Sequence, residues 1–122
     1  MIVVAGGAKT LASPRNDFEQ DFILEQIRLS IQLHKAPQVF LMSHSDCATY
    51  GGLAAFNGNP NVEVAHHRQE LLRGSRLIQS RFPQLKIYPY FVKFDGVWEL
   101  LSEKDIQGGE GGGVNLDMTQ RL

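Results

Sequence analysis

The chain has a single cysteine, Cys47, among its 122 residues, so no disulfide framework can form within it, and the thiol is left to packing, to reactivity or to a metal. It has no apolar run of the roughly 18 residues that a membrane span needs, and no basic-then-apolar start of the kind that directs secretion. A soluble, cytoplasmic protein is the expectation. Charge of one sign is lacking too: 12 Lys and Arg face 13 Asp and Glu, a net charge of −1. Without a strong basic field, neither nucleic acid nor an anionic membrane is an expected partner. There is no GxGxxG, and Gly6-Gly7-Ala8-Lys9 lacks the Lys-Ser/Thr pair of a phosphate-binding loop, which argues against nucleotide binding. No internal repeat is visible, and the length suits one domain around one core.

What is present reads as alternating strands and helices. Met1 to Ala5 is a β-branched apolar run ending at Gly6-Gly7, the pattern of a strand covered on both faces. From Asn16 to Lys35, Phe18, Phe22, Ile23, Ile27, Ile31 and Leu33 or His34 recur at helical intervals. Asn16 and Glu19 stand as a capping box in front of them. Ala36-Pro37 ends that helix, and Gln38 to Ser43 reads as a second buried strand. Asn59 caps and Pro60 starts a helix to about Phe82, with Val64, Leu71, Leu72, Ser75, Leu77 and Ile78 inward. Its Arg68, Arg73, Arg76 and Arg81, balanced by Glu63 and Glu70, read as a solvated face. Leu85 to Phe94 is rich in β-formers, and Pro89 within it argues for an edge strand or a bulge. Asp95-Gly96 turns it toward a return strand, Val97 to Leu101. The expected fold is α/β, a small, mainly parallel sheet of three or four strands flanked by helices. The domain is expected to cover 1–102. Five of the twelve glycines fall between Gly108 and Gly113, so 103–122 reads as a flexible, Gly-rich tail.

The chemistry concentrates in the segment Val39 to Gly52. His44 and Cys47, three apart just past a strand, put an imidazole and a thiol on one tight loop at the rim where open α/β sheets bind ligands. Both are good zinc donors, and the alternative is a small buried thiol beside a hydrogen-bonded histidine. A further ligand could come from His66 or His67, which point about 100° apart on a helix, so that only one can face the loop. Their alternative is a solvated helix start. Asp46 is placed to wall the pocket and to bond loop amides or cap the turn that follows, Tyr50 to wall a pocket or an interface, and His34 to complement a helix C-terminus.

Taken together, the AGGAK turn, the helix ending in SIQLHK, the strand VFLMSHSDC with its YGG continuation and the strand FPQLKIYPYFVKFDG resemble the β-class carbonic anhydrases, in particular short bacterial carbonic-anhydrase-like proteins, over roughly Met1 to Glu99. The resemblance implies Zn2+ as cofactor, with His44 and Cys47 as ligands and Gly6 and Gly7 walling the site. It implies carbon dioxide and bicarbonate as substrates, and a homo-oligomer. Two departures stand out. No Cys-x-Asp-x-Arg precedes the Gly-Gly turn, although in the family that motif supplies another zinc cysteine and an Asp-Arg pair. Ala48 stands where glycine is usual. An N-terminally truncated relative is the simplest account of the missing motif.

Zinc makes hydroxide at neutral pH by lowering the pKa of bound water from about 15.7 to about 7, which requires three protein ligands and an open position. Two are identifiable here. One reading is therefore a zinc lyase hydrating carbon dioxide, completed by His66, His67 or a partner chain and impaired by the incomplete set. The other is a non-catalytic carbonic-anhydrase-like remnant or an oligomerisation and interaction module.

Overall fold

The computed structural model describes residues 6–93 and 95–99, and, of 97–99, the backbone. The strand expected over Met1–Ala5 and the tail expected from residue 103 lie outside these residues. Within them the order is α1 (Lys9–Ala12), α2 (Asp17–His34), β1 (Gln38–His44), two 3-10 turns (Ala48–Tyr50 and Leu53–Phe56), α3 (Pro60–Arg81), β2 (Lys86–Lys93) and β3 (Gly96–Glu99). The sheet runs β1-β2-β3; β1 and β2 are parallel from Gln38–Lys86 to His44–Val92, and β3 is antiparallel to β2. The α/β class expected from the sequence is the class observed.

Local chemistry accounts for the boundaries. Asn16 accepts the Glu19 N–H and starts α2, but the Glu19 carboxylate reaches past Asn16 to take the Arg15 N–H at 3.0 Å, so the capping box closes one residue early. Lys35, at φ 53°, ends α2 in the left-handed region just ahead of Ala36-Pro37. Asn59 caps α3 through the N–H groups of Asn61 and Val62, with Pro60 at the first helical position.

Alternation along β1 divides the sheet into unlike faces. Leu41 and Ser43 point inward, and Phe40, Met42 and His44 outward. On the inner face Leu41, Ile87 and Phe91 pack with Ala8 and Leu11 of the α1 region, Leu24 and Ile27 of α2, and Leu71, Leu72 and Ile78 of α3. Among the described residues the outer face carries no helix at Phe40 and Met42, which remain exposed. The expectation that this strand is buried on both sides is thus corrected. The apolar run Val39–Met42 hid a one-sided strand.

Two other expectations need correction. In α2 the stripe that faces the core runs through Leu24 and Ile27, flanked by Ile23 and Ile31. Phe18 and Phe22 are 74% and 51% exposed, and Leu33 is exposed with them. The helix carries two apolar stripes on nearly opposite sides, and a spacing count cannot say which one meets the sheet. Pro89 lies opposite Leu41 in a strand that has neighbours on both sides. Lys86 N–H and Val92 C=O bond toward the β1 side, so the even-numbered residues of β2 face β1 and the Pro89 nitrogen faces away. On that flank the described pairing with β3 begins only at Tyr90, so the missing donor breaks no described rung.

Candidate metal site

His44 ends β1, and the loop that follows is built on unusual backbone angles. Asp46 adopts φ 54°, Gly51 φ 90° and Gly52 φ 69°. The left-handed Asp46 is held from both ends: its N–H donates to the Glu63 carboxylate of α3 at 2.7 Å, and its own Oδ1 accepts the Leu53 N–H at 2.7 Å. Cys47 then caps the first 3-10 turn, and its carbonyl accepts the N–H groups of Tyr50 and Gly52. Ala48 lies inside that turn without a positive φ, which explains why alanine is tolerated where the resemblance leads one to expect glycine.

The two donors differ in setting. The His44 ring is exposed, with Nδ1 2.8 Å from the Ser45 carbonyl. A carbonyl only accepts, so Nδ1 carries the hydrogen, and in the neutral ring Nε2 is the nitrogen with the lone pair, the arrangement commonly seen in metal-bound histidines. The Cys47 thiol is free and buried. Gly6 lies against this loop, where a Cβ would stand 2.9 Å from Thr49 Cγ2. Gly7 lies against the end of β1, where a Cβ would stand 2.0 Å from the Met42 carbonyl oxygen. Asp46 also lines a cavity of about 300 Å³ with Leu53, Glu63, Val64, Phe91 and Lys93.

Behind the loop, α3 presents a buried polar stripe. Glu63, His67 and Glu70 follow one another at helical spacing, and all are buried. His66 is exposed, and His67 is completely buried, its ring 4.5 Å from Tyr50 and 5.1 Å from Phe91. Among the described residues neither nitrogen of His67 has a hydrogen-bond partner. Burial first, then the neighbouring His66 and His44, pushes its pKa down to about 4, so the ring is neutral near pH 7. Glu70 accepts from the Ser13 hydroxyl, from the Tyr50 hydroxyl at 3.2 Å and from Arg73 at 3.3 Å. Burial, followed by the Glu70 charge, pushes the Tyr50 hydroxyl well above its ordinary range, so it serves as a hydrogen-bond donor and not as an acid near neutral pH. Lys9 Nζ stands 5.1 Å from the centre of the Tyr50 ring.

The expectations of a solvated helix start at His67 and of solvated balancing carboxylates at Glu63 and Glu70 are therefore corrected. Their shared stripe with Leu71 and Ile78 was the available signal, and their polarity concealed it. His34 stands exposed in the last turn of α2, as its spacing implies. Among the described residues no three His, Cys, Asp or Glu side chains converge as a metal site requires. These residues place a strand-end imidazole and a thiol on one loop but do not compose a full zinc centre. No described helix is long and apolar enough to cross a membrane.

Comparison with known proteins places these features in a family. Residues 1–102 match the family model described as "Putative carbonic anhydrase". An uncharacterized protein of Rickettsia bellii is 30% identical over 84 residues, covering 67% of this chain and 51% of the relative. An uncharacterized protein of Rickettsia conorii is 26% identical over 104 residues, covering 84% of this chain and 56% of the relative. The chain thus spans about half the length of these curated relatives. No solved structure matches. With more than half of its length matched by that one model, the chain belongs to the family described as "Putative carbonic anhydrase".

Proposed function

We propose that the chain is a β-class carbonic-anhydrase-type domain acting on carbon dioxide and bicarbonate, with His44 and Cys47 as its contribution to a zinc site. The observation that carries this reading is the loop itself. A hydrogen bond from Nδ1 to Ser45 leaves His44 Nε2 as the donor, and the thiol follows three residues later on a turn anchored to α3 through Glu63. The remaining donor comes from outside the described residues, from elsewhere in the protein or from a partner copy, because those residues bring no third ligand to the loop. Activity depends on that donor. His67, neutral and without a hydrogen-bond partner among the described residues, is a reserve ligand only if its ring leaves the contact with Tyr50 and Phe91.

The test measures zinc content and carbon dioxide hydration on the same purified protein, beside His44→Ala and Cys47→Ser. Loss of bound zinc in both variants, with hydration above the uncatalysed rate in the unaltered chain, is the expected result. Zinc content unchanged by either substitution would overturn the assignment of the ligands. A second reading is a non-catalytic module, favoured by the incomplete donor set. It requires a folded protein with background hydration and with thermal stability unmoved by chelator.

A further inference from the structure

The cavity of about 300 Å³ beside the loop is lined by neither His44 nor Cys47, and it joins the start of α3 to the end of β2. Its size is at the lower end of the range for small-molecule sites. The walls are largely apolar: Phe91, which is completely buried, with Val64, Leu53 and Pro60 around it. Among them stands one buried charge. Glu63 is only 2% exposed, and its Oε2 accepts the Asp46 N–H at 2.7 Å. Among the described residues its Oε1 accepts no hydrogen bond and belongs to no ion pair.

A buried carboxylate oxygen without a donor is costly, so a bound group that donates to it supplies an interaction that the free protein lacks. The other ionic groups at the cavity set the charge of that group. Asp46 and Asp95 stand exposed at its mouth with Lys93 half-buried beside them, so the lining holds three carboxylates and one ammonium. This excess of negative charge favours a cation and opposes an anion. A bare metal ion does not suit the place, because among the described residues no three His, Cys, Asp or Glu side chains converge. An organic cation does: its charged end meets the carboxylate while its hydrocarbon meets the apolar wall.

We propose that this cavity binds a small primary amine in its ammonium form, an N–H donating to Glu63 Oε1 and the hydrocarbon body lying against Leu53, Val64 and Phe91. Glu63 then holds the ligand through one oxygen and the Asp46 N–H through the other. The proposal does not rest on the zinc reading.

NMR titration of the full chain, followed at the backbone amides of Asp46, Leu53 and Val64, tests it. Phenethylammonium chloride is the probe, beside phenethyl alcohol and sodium hydrocinnamate, which keep the ring and put a neutral group or an anion in place of the cation. Saturable shifts of these three amides with the ammonium are expected, with binding about tenfold or more weaker for the alcohol and the carboxylate. Glu63→Gln keeps an acceptor for the Asp46 N–H and removes the charge, and is expected to weaken the ammonium by a similar factor. Leu53→Trp, on the 3-10 turn, fills the cavity and is expected to abolish binding. The three ligands on the unaltered chain decide the matter even if a variant does not fold. Shifts that never saturate, equal binding of the three ligands, or tighter binding of the carboxylate would overturn the proposal. So would full affinity in folded Glu63→Gln or folded Leu53→Trp.

Discussion

The carboxylate of Glu63 accepts the backbone N–H of Asp46 at 2.7 Å, joining α3 to the loop that carries His44 and Cys47. Asp46 sits at φ 54°, a conformation that an L-residue keeps only where its surroundings hold it. Removing the acceptor leaves that N–H without its charged partner. Glu63→Ala is expected to cost about 2–3 kcal/mol, in the range for losing a hydrogen bond to a charged group. Glu63→Gln, whose amide oxygen can still accept, is expected to cost less. Urea denaturation of the three proteins checks the order, and equal stability of all three would remove the anchoring role.

His67 makes stability depend on pH in a definite sense. Its folded pKa of about 4 lies below the ordinary value of 6.5, so between these values the unfolded chain binds the extra proton. Its contribution to stability is therefore complete above about pH 6.5 and declines as the pH falls toward 4. His67→Phe keeps a ring between Tyr50 and Phe91 and removes the titration. Thermal unfolding of both proteins across this window is expected to show the shallower pH dependence in the phenylalanine variant. Parallel curves would contradict the buried, neutral state of the ring.

Two glycines separate backbone strain from crowding. Gly7 has φ 57°, and a Cβ there would stand 2.0 Å from the Met42 carbonyl oxygen, which no side-chain adjustment relieves. Gly58 has φ 68° with nothing near the added carbon. Gly58→Ala is expected to cost about 1–2 kcal/mol, the left-handed penalty alone. Gly7→Ala is expected to cost about 4 kcal/mol or more, because the turn itself must move. Denaturation midpoints give the comparison, and similar values for the two variants would mean that the turn at Gly7 is looser than described.

The two stripes of α2 yield a contrast of the same kind. Leu24 is buried in the core while Phe22 is half exposed. Leu24→Ala is expected to destabilise by about 2–5 kcal/mol. Phe22→Gln is expected to stay within about 0.5 kcal/mol. The reverse order would restore the stripe that spacing alone suggested.

Much of this was legible in the sequence, for identifiable reasons. Caps and breakers act locally, so Asn16, Pro37, Asn59 and Pro60 marked the ends of helices to within a residue or two. The strand-end position of His44 followed from the apolar run before it. Choices made by packing were not legible. Nothing local tells Phe22 from Leu24, and the burial of Glu63, His67 and Glu70 depends on hydrogen bonds and ring contacts made by Asp46, Ser13, Tyr50 and Phe91 elsewhere in the chain. For the candidate site, residue types and spacing pointed to the loop. The Glu63 anchor and the hydrogen on His44 Nδ1 emerge only once the chain is folded.

The most direct measurement is zinc binding by competition with a chromophoric chelator, made on the unaltered chain, His44→Ala and Cys47→Ser. The unaltered chain is expected to take up about one zinc and to yield it to a stronger chelator more readily than a closed four-ligand site would. Either substitution is expected to abolish that uptake. Zinc held with the same affinity by all three proteins, or uptake by none of them, would contradict the assignment of this loop as a metal-binding half-site.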